Sequence, residues 1–310
     1  MGEIGKGGGE AGTVGEALKE GVRILGEAGV KEALRDAGLL LSEAASLPLY
    51  VILTERNLAL PAGALARFRN AILRRAAGEP VQYITGKKEF MSLTFKIRPG
   101  VLVPRPETEI LAEEAISILR ERQPRVFTDG AGAEFTVVDV GTGSGAIGVS
   151  VAYYVPNVKV IATDLDHLAL EVARENAVLH RVLERMTFLR GDLLDPVSSP
   201  VDMILANLPY IGEEEMNHLV REVRDFEPKT ALLGGRTGVE LIERLIDQAP
   251  SRLVQGGWLL LEVGRGQASR ICSYVRGTNG LEVVRLLKDL TGIDRVLVIR
   301  KTGRGADVVE

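Results

Sequence analysis

Three different spacings of apolar residues follow one another along the chain. From Val14 to Ala77, Leu, Ile, Val and Ala recur at three- and four-residue intervals among Glu, Arg and Lys, as in EALKEGVRILGEAG and ALARFRNAILRRAAG. That interval puts the apolar positions on one face of an α-helix, and these residue types are good helix formers. Helix ends are marked by Gly78 after ILRRAA and by the break at Pro61, Ala62 and Gly63. After Pro80 the spacing shortens towards two in QYITGKKEF and LTFKIRPG, which predicts a β-hairpin with Gly86 and Lys87 at its turn.

From Phe135 the pattern changes again. Short Val/Ile-rich runs (FTVVDV, VKVIATD, MTFLRGD, VDMILAN, WLLLEVG) alternate with helical stretches such as LALEVARENAVLH and GVELIERLIDQA. Apolar strands alternating with helices predict a parallel sheet covered on both faces. The last runs, LEVVRLLKDL and RVLVIRK, flank TGID and read as a closing antiparallel pair. The expected fold is α/β, a mostly parallel sheet with an antiparallel closing strand, preceded by a small helical domain and a β-hairpin linker. The boundaries fall at a flexible glycine-rich leader over 1–13, the helical domain over 14–79, the linker over 80–104, the sheet domain over 105–302 and a frayed tail over 303–310.

Composition narrows the function classes. With 310 residues, of which 45% are hydrophobic and 26% charged, the chain can bury a sizeable core in two domains. The formal net charge of -4 argues against a broad nucleic-acid or anionic-membrane surface. No apolar stretch reaches the roughly 20 residues that span a bilayer, and MGEIGKGGGEAG has no signal-peptide apolar region, so the expected location is the cytoplasm. The single cysteine, Cys272, cannot close an internal disulfide, and His167, His180 and His218 lack metal-site spacing, so no metal is expected.

The chemistry gathers at the strand ends. In VVDVGTGSGAIGVSVA a buried strand runs into Gly141, Thr142, Gly143, Ser144 and Gly145, then into a helix beginning near Ala146. Glycines there let backbone approach a ligand at the carboxyl edge of a parallel sheet. The turn alone fits NAD or S-adenosylmethionine equally. Asp164 closes the next strand, about 20 residues beyond the first glycine, where a carboxylate would accept the ribose hydroxyls of an adenosine. Asp166 reads as the cap of the following helix. Asp192 closes the third strand, where it or the neighbouring backbone would meet an adenine edge. Asp139, inside the first strand, would either bind ligand or hold the glycine turn by hydrogen bonds.

The fourth strand ends in Asn207, Leu208, Pro209 and Tyr210. A hydride-transfer site would need an acid or base around a nicotinamide, and this segment supplies neither. It supplies a holder for a planar amino group: the Asn207 side-chain oxygen and the Leu208 carbonyl accept its two N–H bonds, Pro209 keeps Leu208 extended, and Tyr210 stacks on the plane. Such a clamp suits methylation of an amide or exocyclic amine nitrogen, where the delocalised lone pair is a weak nucleophile and positioning with electrostatics supplies the rate.

With these segments in place, the chain resembles the class I S-adenosylmethionine-dependent methyltransferases. Within them it resembles the HemK/PrmC group, which methylates the glutamine of the Gly-Gly-Gln motif in peptide chain release factors. The likeness runs from about Asp36 to Lys301. It includes GEPVQYITGKKEF, VLVPRPETEIL, DVGTGSGAIG, ATDLD, GDLL, ANLPYI and EPKTALLGGRTGVELIERLI, with VLVPRPETE the most specific. The resemblance implies a Rossmann-like methyltransferase domain over 105–302 and a helical domain that helps engage the release factor. Its cofactor is S-adenosyl-L-methionine, leaving as S-adenosyl-L-homocysteine. It implies Gly141 to Gly145 around the methionine and ribose, Asp164 on the ribose, Leu193 beside Asp192 near the adenine, and Asn207 to Tyr210 on the glutamine amide. Pro104, Arg105 and Glu107 would line the mouth of the site, or Arg105 and Glu107 would form an interdomain ion pair. Two readings stay beside the leading one. A ribosomal-protein glutamine methyltransferase would use the same chemistry. An adenine-N6 methyltransferase on RNA or DNA is suggested by Leu208, which stands where the family usually carries a second proline.

Overall fold

Thr13 starts the first helix by a reciprocal cap. Its hydroxyl accepts from the Glu16 amide at 3.3 Å while the Glu16 carboxylate accepts from the Thr13 amide at 2.9 Å. This satisfies two of the amides a helix start leaves open. The computed structural model describes residues 12–122 and 135–303. The glycine-rich leader through residue 11 and the tail from residue 304 lie outside the described residues.

The chain divides into two compact units, one ending at Gly86 and taking in Arg221–Phe226, the other beginning at Lys87 and comprising the rest. The first unit consists of α1 (Val14–Glu27), α2 (Ala33–Ala45), α3 (Leu49–Thr54), α4 (Ala64–Ala76), α5 (Val81–Thr85) and α9 (Arg221–Phe226). Leu18, Leu25, Leu40, Leu41, Phe68 and Ile72 form its core. Each such side chain, taken fully out of water, contributes about 1.5–3 kcal/mol. Beside that core Arg75 is buried, with its guanidinium 2.7 Å from Asp36 and 2.8 Å from Glu222. Two carboxylates and the Glu79 carbonyl occupy its donors, so the buried charge is compensated.

One local expectation fails in this unit. QYIT was expected as strand because the apolar spacing shortens towards two there, yet Val81–Thr85 is a single helical segment. Pro80 leads it in and Gly86, at φ +72°, ends it in the left-handed conformation. The hairpin follows it: β1 (Lys87–Phe90) pairs antiparallel with β2 (Leu93–Lys96), and the turn is Met91 and Ser92, both at positive φ, rather than Gly86 and Lys87. Two successive positive φ angles give the twist a two-residue hairpin needs.

After the hairpin come a single 3-10 turn at Pro106–Thr108 and α6 (Glu109–Arg122). The sheet then alternates with helices as the spacing predicts: β3 (Phe135–Val140), α7 (Ala146–Tyr154), β4 (Val158–Asp164), α8 (His167–Leu179), β5 (Met186–Arg190) and β6 (Val201–Ala206). A short pair, β7 (Ile211–Gly212) and β8 (Leu233–Gly235), precedes α10 (Glu240–Arg252), β9 (Leu253–Glu262), α11 (Ala268–Gly277), β10 (Leu281–Lys288) and β11 (Asp294–Lys301). The main sheet has seven strands in the order β10-β11-β9-β6-β3-β4-β5. β9, β6, β3, β4 and β5 run parallel, and β11 and β10 close the edge antiparallel, as expected from the sequence. Strand order reverses between β3 and β6, the position where open α/β sheets leave a crevice. Among the described residues no helix is long and apolar enough to cross a membrane.

Candidate active site

Register sets the level of the site. Val140 pairs with Thr163 on one side and with Ala206 on the other, and Ala206 pairs with Leu261. The residues that follow, Gly141, Asp164, Asn207 and Glu262, therefore come off neighbouring strands at one edge. The first three border a cavity of about 440 Å³, within the range of small-molecule sites. Gly141, Thr142, Gly143, Ser144, Asp164, Asp192, Leu193, Asn207, Leu208 and Pro209 line it, joined by Pro104 and Thr108. Gly145, Arg105, Glu107 and Tyr210 do not.

The glycine turn is held from below. Asp139, fully buried, accepts the Thr142 hydroxyl at 2.6 Å and the Gly148 amide at 2.9 Å. Of its two sequence readings, the structure places it in the second, as the group that holds the turn. Burial pushes its carboxyl up to about 6, against the pull of those two hydrogen bonds. Gly143 sits at φ +55° and lines the cavity; a Cβ there would meet only the Gly141 carbonyl oxygen, at 4.0 Å. Gly145, at φ +80°, starts α7, and a Cβ there would stand 3.0 Å from Ala173.

Asp164 accepts the Gly143 amide at 2.9 Å and the Asp166 amide at 2.9 Å, and burial raises its carboxyl above the ordinary range despite both bonds. Asp166 caps α8, accepting the Leu168 amide at 2.8 Å. Asp192 lines the cavity, but its carboxylate is taken up by Arg244 at 2.6 Å. Leu193 beside it is buried at φ +48°, and its carbonyl accepts the Thr163 hydroxyl at 3.1 Å.

On the other side of the glycine turn, Asn207 donates from Nδ2 to the Thr108 hydroxyl at 3.0 Å. Glu262, at the end of β9, is buried, and its Oε2 has no hydrogen-bond partner among the described residues. The Tyr210 carbonyl accepts from Gln267 at 2.7 Å, and a Cβ on Gly234 would collide with the Pro209 carbonyl oxygen, so the whole segment is held closely. Burial and the nearby Glu262 carboxylate push the Tyr210 phenol up to about 12, which keeps the ring neutral. The alternative reading, an Arg105–Glu107 ion pair, finds no such contact among the described residues. Arg105 instead reaches the buried Glu227 with contacts of 2.7 and 2.8 Å.

Known proteins share this arrangement of segments. Residues 16–86 match the PrmC N-terminal domain and residues 126–224 the methyltransferase small domain. A release factor glutamine methyltransferase of Moorella thermoacetica is 39% identical over 91% of this chain and 96% of its own. The chain belongs to the release factor glutamine methyltransferase family. A second member of that name, from Koribacter versatilis, is 38% identical over 93% of this chain and 99% of its own. Among solved structures, a methyltransferase from Pyrococcus furiosus shares the fold at a TM-score of 0.50 and 20% identity, covering 76% of this chain and 98% of that one.

Within that family frame, three residues of the site escaped the sequence reading. Thr108 is the fourth residue after Pro104 in a motif whose Arg and Glu drew attention first. Glu262 lies in the apolar run WLLLEVG, and nothing in its local spacing singles it out. Asn176, buried in α8, donates to the Ser144 carbonyl at 2.9 Å and accepts the Lys96 amide at 2.7 Å, tying the glycine turn to β2. A carboxamide in an otherwise apolar helical face was its only signal.

Proposed function

We propose that this chain transfers a methyl group from S-adenosyl-L-methionine to the side-chain nitrogen N5 of the glutamine in the Gly-Gly-Gln motif of peptide chain release factors, in the cytoplasm. The observation that carries the reading is the juxtaposition of the Asn207 carboxamide, held by Thr108, with the glycine turn one strand away. Membership of a family whose members bear that activity in their name supports the substrate.

The cavity suits the cofactor. It offers apolar walls at Leu102, Ile147, Leu165 and Leu193 for a flat base, the Asp164 carboxylate for hydroxyl groups, and the exposed backbone of Gly143 for close approach. S-adenosyl-L-methionine, when bound, supplies an electrophilic methyl group on a sulfonium. The chain's own residues handle the acceptor. Asn207 Oδ1 and the Leu208 carbonyl accept the two N–H bonds of the glutamine amide, which aims its nitrogen and stabilises the positive charge that develops there. Pro209 has no N–H with which to compete and keeps Leu208 extended. Leucine at 208 leaves this role intact, because it is the carbonyl of that residue that works. Tyr210 stands outside the cavity lining, neutral and packed against the sheet core, and backs the segment.

The test is methyl transfer from labelled S-adenosyl-L-methionine to purified release factor, beside a release factor whose Gly-Gly-Gln glutamine is replaced. Label on the first alone is the expected result. Equal label on both removes the reading, and label on ribosomal protein or RNA in place of release factor assigns the chemistry to another acceptor.

A further inference from the structure

Beyond Leu208, the acceptor segment is packed against backbone alone. A Cβ built on Gly234 would stand 2.3 Å from the Pro209 carbonyl oxygen, and one built on Gly238 2.3 Å from the Tyr210 carbonyl oxygen. Both glycines are buried, and they bound GGRTG, the stretch that runs from β8 towards α10. Ordinary van der Waals contact begins at 3.4 Å, so a methyl group at either place would force the two backbones apart by about 1 Å. Gly238 has φ +83°, where any side chain is strained, but Gly234 is not at positive φ. Only the closeness of Pro209 and the backbone around it bars a side chain there.

The loop behind this contact is itself fixed. β8 pairs with β7, the Ile211 amide donates to the Leu232 carbonyl at 3.0 Å, and Leu232 is buried. At the other end the Glu240 carboxylate accepts the Thr237 amide at 2.9 Å, the Thr237 hydroxyl at 2.9 Å and the Val239 amide at 3.1 Å. A second support comes from Gln267, ahead of α11. Its Oε1 accepts the Gly264 amide at 2.9 Å, which leaves Nε2 to donate to the Tyr210 carbonyl at 2.7 Å. The segment therefore hangs between Ala206, paired in the main sheet, and Ile211, paired with β8, with the loop and Gln267 fixing what lies between.

We propose that Gly234, Gly238 and Gln267 are positioning residues for the acceptor. The side-chain-free backbone of the loop sets where Pro209 and Tyr210 stand, and through the Leu208–Pro209 peptide it sets the Leu208 carbonyl that aims the substrate nitrogen. The inference rests on the amide-methylation reading above. None of the three residues borders the cavity, so they act through the segment and not on the reactants. The glycine turn and Asp164 come off β3 and β4, so a shift of the loop leaves the proposed cofactor contacts in place.

The experiment compares wild type, Gly234→Ala, Gln267→Met and Gly277→Ala for labelled methyl transfer to release factor. S-adenosyl-L-methionine affinity is measured by calorimetry and folding by a melting curve. Gly277 on α11 has nothing within 4 Å of its Cβ position, and Gly277→Ala is expected to turn over like wild type. For Gly234→Ala, kcat is expected to fall about 10²-fold, the cost of moving a reacting group by about 1 Å, with cofactor affinity within about threefold. Gln267→Met keeps the length and removes the donor, and its kcat is expected to fall about tenfold, the scale of one hydrogen bond. Wild-type kcat in a folded Gly234→Ala overturns the inference while the function stands, because the loop has then given way in place of the clamp. A loss of cofactor affinity that matches the loss of kcat also overturns it, because the loop then shapes the cofactor side. Should Gly234→Ala fail to fold, Gln267→Met decides, and wild-type turnover in that variant overturns the inference. A wild-type enzyme that labels no release factor removes the function on which the inference rests.

Discussion

Asp139 and Glu262 are the same kind of object put to two uses. Each is a carboxyl buried at or near the carboxyl edge of the sheet, each has one oxygen without a partner among the described residues, and each is raised by burial, to about 6 and about 7. Asp139 on β3 spends its other oxygen on neighbours in sequence, the Thr142 hydroxyl and the Gly148 amide, and so shapes the turn proposed to hold the cofactor. Glu262 ends β9, which pairs with β6, the strand that carries the clamp proposed to hold the acceptor. On the proposed function, the two buried carboxyls belong to two separable halves of one reaction. Substitutions on the two sides should then separate turnover, cofactor affinity and stability.

The largest effect should come from Asn207→Ala. Removing the carboxamide takes away an acceptor for the charge developing on the substrate nitrogen, and kcat should fall about 10³-fold, or about 4 kcal/mol of barrier. Affinity for S-adenosyl-L-methionine, measured by calorimetry, should stay nearly at the wild-type value. Turnover that survives the substitution would dismiss the amide clamp.

Asp139→Ala should give the complementary result. It strands the Thr142 hydroxyl and the Gly148 amide, both bonded to one charged oxygen, at a cost of about 3 kcal/mol in stability. Denaturant unfolding would show the loss, and cofactor affinity would weaken with it. A variant with lowered turnover but intact cofactor affinity would join Asp139 to the acceptor side and end the division of labour.

Glu262→Gln tests the cost of the buried charge itself. A carboxyl raised from 4.5 unfolded to about 7 folded binds its proton more tightly in the native state. Its favourable contribution is complete below 4.5 and is lost as pH rises through about 7. The neutral glutamine escapes that loss, so the stability of Glu262→Gln relative to wild type should climb with pH across this window, by about 3 kcal/mol in total. A stability difference that stays flat with pH would mean the carboxyl titrates normally.

How much of this was legible follows from the range of each interaction. The strands of the main sheet, the helix after Gly145 and the Asp166 cap depend on residues within a few positions of one another, and local spacing carried them. Val81–Thr85 misled because the apolar spacing shortens towards two there, while a leading proline and a left-handed Gly86 settle it as a helical turn. The hairpin turn at Met91 and Ser92 carries neither glycine nor asparagine, so nothing in the residue types marks its positive φ angles. Thr108 and Asn207, far apart in sequence, meet only in the fold, and Arg105 finds Glu227 the same way. No spacing rule reaches across such distances, and a conspicuous neighbour, Glu107, supplied the wrong partner.

Asp192 marks the boundary of that legibility and gives the smallest expected effect. Its place after β5 suggested contact with an adenine edge, and it does line the cavity. Its carboxylate, however, faces Arg244 at 2.6 Å, with the two side chains 35% and 50% exposed. At that exposure an ion pair is worth about 0–1 kcal/mol. The wall beside it is fixed by other means: Leu193 is buried, and its carbonyl holds the Thr163 hydroxyl at 3.1 Å. Arg244→Met, which keeps the apolar stem and removes the charge, should therefore change stability by less than about 1 kcal/mol and leave cofactor affinity within about threefold. Calorimetric titration with S-adenosyl-L-methionine checks both parts when run beside a melting curve. A tenfold or greater change in affinity, at unchanged stability, would show that the Asp192 charge itself meets the ligand and would move it into the company of Asp164.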